Sequence, residues 1–149
     1  MRGRMNWRMD GEFIVIIHKL LRHPLVLSLK MIAHHKVTNR LDHSIGVAYR
    51  SYKLAKRLGL NHESVARAAL LHDLFVETRT DIAQLMMGSH NAAHPRLALQ
   101  NAKTLCTLSP KEEDIILSHM FLCTIESWVV TLVDKWCAIG ERTRLITYP

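Results

Sequence analysis

Among the ten histidines of this 149-residue chain, one stands directly before an aspartate at the end of an apolar run, Ala-Ala-Leu-Leu-His72-Asp73-Leu-Phe. Neighbouring helical residues project about 100° apart, so an imidazole and a carboxylate placed this way can both reach one ion over that edge of the helix. Neutral imidazole is the commonest metal ligand and a ready general base. An isolated pair of this kind recurs by chance, and its company gives it weight. His43 lies one helical hairpin upstream, and antiparallel packing of the two helices would bring it beside His72 and Asp73. Asp134 falls in Val-Val-Thr-Leu-Val-Asp134-Lys, an apolar setting in which a carboxylate must find a positive partner or a metal. Together these four residues offer nitrogen and oxygen donors for a divalent cation, with positions left open for water and substrate.

The elements that must position these side chains read as helices almost throughout, because apolar residues recur at helical rather than alternating spacing. A first helix is expected over Glu12 to Arg22, stopped ahead of Pro24 because the residue before proline disfavours helical geometry. A short second one follows over Leu25 to His34. A long one runs from Leu41 to Leu58, with Ile45, Ala48, Tyr52 and Ala55 on one stripe and Gly59 as its stop. Asn61 caps the next, from Glu63 to about Phe75, whose Val65, Ala69 and His72 share a face. Residues 76–88 read as a loop with one turn around Ile82 to Met87. A helix from about Pro95 to Leu105 follows. Ser109 caps another that starts at Pro110, carries Glu112, Glu113 and Asp114 early and reaches His119. The last covers about Ile125 to Ile139 and stops at Gly140. About seven helices and no strand make an all-α bundle. It reads as a single domain over residues 1–149, with a core from about 35 to 141 and a basic N-terminal arm over 1–11 that includes Arg2, Arg4 and Arg8.

Composition narrows the function classes. No apolar run is long enough to cross a bilayer; the best candidate, Phe13 to Leu21, is interrupted by His18 and Lys19. Cys106, Cys123 and Cys137 are odd in number and lack paired spacing, so they read as reduced, mostly buried thiols of a cytoplasmic protein. The formal charge of +7 favours anionic partners. Aromatics at 6% leave little for stacking on bases, which makes nucleic acid a poor fit. Trp7, Trp128 and Trp136 have the spacing of core residues, as do Met86 and Met87. His18, His23 and His62 read as surface residues, whereas His34 and His35 are placed to line a pocket mouth.

The order His43, then His72–Asp73, then Asp134 resembles the H…HD…D signature of HD-domain phosphohydrolases. The stretch LDHSIGVAYRSYKLAKRLGL, followed by AALLHDLF, is similar to that family in its apolar spacing as well. Some members carry further histidines between the HD pair and the last aspartate, and His94–Pro95 and His119 match those positions. The resemblance is therefore to the extended H…HD…H…H…D branch. It implies one or two divalent cations (Mn, Fe, Zn, Mg or Co) and hydrolysis of a phosphomonoester or phosphodiester in a nucleotide or other small phosphorylated metabolite. It implies no membrane partner, and a homo-oligomer is compatible with it. Asp73 doubles as a catalytic group, and Glu77, four residues on, is placed to orient water or act as a general acid. By position, Lys135 beside Asp134, Arg96 two residues after His94, and Lys36 and Arg40 ahead of His43 are candidates to neutralise phosphate charge. His90, four residues before His94, joins them as a substrate group in the loop before that helix. The family's frequent Gly-Lys after HD is here Phe75–Val76, and Met120 stands where some members have a second adjacent histidine. These departures sustain an alternative, a degenerate HD module that binds metal and a phosphorylated ligand without turnover.

Overall fold

A computed structural model describes residues 6–34, 37–85, 89–117 and 124–148, with the side chains of residues 79, 90 and 91 left out. It contains eight α-helices among these residues. Helix α1 (Gly11–Leu21) starts where the Asp10 carboxylate accepts from the Phe13 amide, satisfying one of the donors that a helix start leaves orphaned. Ahead of it, Trp7–Met9 forms a 3-10 turn, and Trp7 packs edge-on against Phe13. The arm is thus docked through Trp7, while Arg8 stays exposed.

The second helix is shorter than its sequence pattern suggested. Helix α2 (Pro24–Ser28) passes into a 3-10 turn over Leu29–Met31. The chain then extends as β1 (Ala33–His34), which pairs antiparallel with β2 (Thr38–Asn39). This two-stranded hairpin departs from the expectation of no strand. Strands of two residues carry no periodic signal that a sequence could show.

Helix α3 (Arg40–Arg57) is capped by Asn39, whose side chain accepts from Asp42 N, and it ends at Gly59 with φ +68°. That left-handed conformation is one glycine adopts without a Cβ clash. Helix α4 (His62–Leu71) begins at the Asn61 cap and returns along α3. His43 near the start of α3 and His72 at the end of α4 have ring centroids 5.7 Å apart, as an antiparallel hairpin requires. Phe13 lies against Tyr49 at 4.9 Å and Tyr52 at 5.2 Å, fastening α1 to the hairpin. With Phe13 fully buried, truncating it to alanine would cost about 3–5 kcal/mol.

Helix α5 (Arg79–Gln84) opens with a capping box between Thr78 and Asp81. Helix α6 (His90–Leu105) starts one turn earlier than expected: the Ser89 hydroxyl accepts from Ala92 N, so Pro95 lies inside the helix and His90 opens it rather than lying in a loop. Phe75, Ile82, Ala93 and Leu97 form a small satellite core beneath α5 and α6. Helix α7 (Pro110–Ile116) has the predicted Ser109 cap, closed into a box by Glu112, and Glu112 also binds Arg67 of α4 at 2.6 Å. The helix is described to Ile116 with Leu117 as its C-cap, and the expected end at His119 lies outside the described residues.

Helix α8 (Ile125–Arg142) does not stop at Gly140. The left-handed residue comes later, at Arg144 with φ 57°, and both Leu145 N and Ile146 N donate back to Gly140 O. A Cβ on Gly140 would overlap the Ile146 side chain. This glycine therefore serves the close return of the tail and not helix termination. The tail continues to Tyr148, whose ring fills the space a Cβ on Gly46 would need.

Candidate metal centre

Three helices deliver the side chains singled out by the sequence. His43 comes from the first turn of α3, His72 from the end of α4 and Asp134 from the middle of α8. His43 Nε2 lies 2.9 Å and His72 Nε2 3.3 Å from the same oxygen, Asp134 Oδ1. Asp73 Oδ2 is 3.6 Å from His72 Nε2. His43 and His72 are sealed from solvent, whereas Asp73 and Asp134 keep 13% and 16% of their side-chain surface. The cluster therefore opens on its carboxylate side.

The far nitrogens of both rings are already engaged. His72 Nδ1 lies 2.7 Å from the Ala69 carbonyl, which can only accept, so this nitrogen carries the proton. His43 Nδ1 lies 2.7 Å from Glu141 Oε1 and donates in the same way. Both imidazoles are thereby set to present Nε2 to the cluster, the arrangement in which outer hydrogen bonds orient a metal ligand. His72 Nε2 is buried and makes no well-aligned hydrogen bond among the described residues. An orphaned nitrogen beside two imidazole-facing carboxylates is a donor set that fits a divalent cation.

Electrostatics within the cluster agree. Burial pulls the His72 imidazole down, but the charges of Asp73 and Asp134 outweigh it and raise its pKa to about 9. Burial acts likewise on His43, and its bonds to Asp134 and Glu141 reverse the direction upward. Burial pushes the Asp134 carboxyl up, and the two imidazoles more than offset this, holding it well below the usual carboxylate range. Asp73 is lowered against its burial by the charges of His72 and His43. The site attracts positive charge, whether carried by protons or by a cation.

Two residues outside the expected ligand set join the site. Glu141, fully buried, binds His43 and accepts from Tyr148 Oη at 2.5 Å. It lies seven residues after Asp134 and so on the same face of α8. A helix taken to end at Gly140 hides that relation. His34, on β1 rather than in a helix, stacks on His43 at 3.9 Å between centroids, and its Nε2 lies 3.7 Å from Glu141 Oε2. Among the described residues, two overlapping groups could hold a cation: His43, His72 and Asp134, and His34, His43 and Asp73.

The other predicted site residues fare differently. His94 stacks on Phe75 at 5.5 Å, and its charge lowers Asp73, yet it belongs to neither group. Arg40 Nη1 donates to the Phe75 carbonyl at 2.5 Å, with the guanidinium 4.0 Å from that ring. Glu77 is half-buried and accepts from Val76 N at 2.9 Å; its charge, like that of Asp73, acts on Arg40. Lys135 and Arg96 are exposed on α8 and α6. Lys135 adjoins Asp134 in sequence but projects about 100° away around the helix. Lys36, His35, His119, Met120 and Cys123 lie outside the described residues, as do Arg2, Arg4, Met86 and Met87 and the side chain of His90.

Two further expectations are corrected by burial. Trp128 and Trp136 are 51% and 59% exposed, not core residues. Cys137 is buried as expected, and burial raises its thiol to about 11, while Cys106 is half-buried near Arg67. No helix among the described residues is long and apolar enough to cross a membrane.

Compared with known proteins, residues 40–139 match the model of the HD domain family. No curated protein and no solved structure matches the chain.

Proposed function

This chain belongs to the HD-domain family, and from that premise we propose that it is a metal-dependent phosphohydrolase acting on a nucleotide or another small phosphorylated metabolite. The family is one of metal-dependent hydrolases, so the reading turns on this chain's own site. One observation carries it: two buried Nε2 atoms converge on Asp134 while both Nδ1 atoms are spent on outer acceptors. His43, His72, Asp73 and Asp134 are the residues that would hold a divalent cation. When bound there, such a cation supplies Lewis acidity to a phosphoryl oxygen and lowers the pKa of water toward neutrality.

The chain's other groups then have assignable roles. Asp73 and Asp134 lie on the open side, where a phosphate ester would enter. Arg40 borders that side near Asp73 and Glu77, and its positive charge would bind the phosphoryl group. Glu77 would take a proton from the attacking water and pass it to the departing oxygen. His94 with His119 would support a second cation, as in the extended branch, and Lys36, His90, Arg96 and Lys135 would extend the cationic rim.

One observation favours the second reading, a module that binds without turnover: the Arg40 guanidinium is already committed to the carbonyl and ring of Phe75. The two readings separate in one experiment. Untagged protein is assayed for metal content, and for phosphate release from a panel of phosphorylated metabolites with Mn, Fe, Zn, Mg or Co, with and without chelator. The hydrolase reading expects bound metal and chelator-sensitive turnover, both lost in His72→Ala and in Asp134→Asn. Metal retained without turnover supports the binding module, and a protein that takes up no metal sinks both.

A further inference from the structure

The outer face of α8 carries Ile125, Trp128, Leu132, Trp136 and Ile139, each between 51% and 64% exposed. The stripe has a symmetry of its own. Trp128 and Trp136 flank Leu132 at four residues on either side, and Ile125 and Ile139 flank it at seven. It reads the same from both ends. We propose that this stripe is the interface with a second copy of this chain, the two α8 helices packing antiparallel about a two-fold axis at Leu132.

A two-fold interface must be self-complementary, residue i on one copy meeting j on the other and j meeting i. The stripe meets that condition without adjustment. Ile125 faces Ile139 of the second copy, Trp128 faces Trp136, and Leu132 faces itself. Steps of three and four residues keep the row on one face, the spacing by which paired helices interlock at shallow crossing angles. Polarity at the helix ends agrees. Asp114 accepts from Thr124 Oγ1 at the start of α8, while the last turn bears Arg142. Antiparallel pairing sets the acidic start of one helix beside the basic end of the other and opposes their dipoles.

Size fits as well. At their observed exposures the five side chains offer roughly 600 Å² per copy, against the roughly 800 Å² per partner of a standard stable interface. The stripe alone thus supplies about three-quarters of that area before any rim residue counts. Trp136 is also held in place: the Arg50 guanidinium lies 5.6 Å from its ring and bonds the Gly46 carbonyl. A tryptophan already fixed by its own chain loses little freedom on docking, which suits it to anchor an interface.

The test exploits the position that faces itself. In sedimentation equilibrium between about 1 and 200 µM, the wild-type chain should self-associate with a micromolar dissociation constant. Leu132→Asp places two carboxylates across the axis, and Leu132→Lys two ammonium groups. Each variant alone should dimerise at least about 100-fold more weakly, with the helical circular dichroism of the wild type. An equimolar mixture of the two should recover dimers, because each Asp then meets a Lys. Tryptophan emission of the wild type should shift to the blue over the concentration range in which dimers form. A wild-type chain that stays monomeric throughout overturns the proposal, as does a Leu132→Asp variant that dimerises normally or a mixture that stays monomeric.

Discussion

Helix α8 has two faces that both depart from what an amphipathic helix on a globular protein usually shows. Its inner face buries two carboxylates, Glu126 and Glu141, and half-buries a third, Asp134, among Val129, Val130, Val133 and Cys137. Its outer face exposes two tryptophans, two isoleucines and a leucine. Each inner carboxylate has a cationic or donor partner: Lys111 for Glu126, the two site histidines for Asp134, and His43 with Tyr148 for Glu141. The contrast separates two uses of polarity. Charge is drawn inside where it can be paired and aimed, and apolar surface is left outside where the described residues leave it more than half exposed.

Three substitutions would break or sharpen this contrast. The largest effect is expected for Glu141→Gln, which keeps the shape but removes the negative charge behind His43. Loss of such an outer partner weakens metal binding by about 10–100-fold, and calorimetric titration with Mn measures it. An unchanged affinity would separate Glu141 from the site.

Glu126→Gln should act on stability alone and in a pH-dependent way. Burial pushes the Glu126 carboxyl up, and its bond to Lys111 more than offsets this, holding it below its ordinary value of 4.5. A carboxyl with a depressed folded pKa contributes stability that is present above 4.5 and is lost as pH falls through the folded value. The variant should therefore melt lower than the wild type at pH 7, by about 1 kcal/mol, and the gap should close in acid. A gap that widens toward low pH contradicts the pairing. The smallest effect belongs to the outer face: Trp128→Gln should change the stability of the monomer by less than about 0.5 kcal/mol. A loss of several times that would mean the ring packs within its own chain.

This contrast also explains what could be read in advance. His72–Asp73 and Asp134 were legible because a carboxylate within an apolar helix has few stable fates besides ligation or pairing. The α3–α4 hairpin was legible because Gly59 and Asn61 punctuate it with a stop and a cap. Glu141 was not, since Gly140 reads as a terminator, and only the returning Ile146 gives its missing side chain another purpose. His34 was legible as a pocket-mouth residue but not as a ligand, because it stands on a hairpin too short for a periodic pattern. The tryptophans show a more general limit. Periodicity reveals which residues share a stripe, but when both faces of a helix hold apolar residues it does not tell which face turns inward.

His43 belongs to both groups of candidate ligands, one with His72 and Asp134 and one with His34 and Asp73. Its Nδ1 proton is given to Glu141, so the ring has a single lone pair to donate. The two groups are therefore rivals for one electron pair. Through His43 the protein could hold one ion at a time: a second would have to take its nitrogen from another histidine, a limit set by a hydrogen bond made on the far side of the ring.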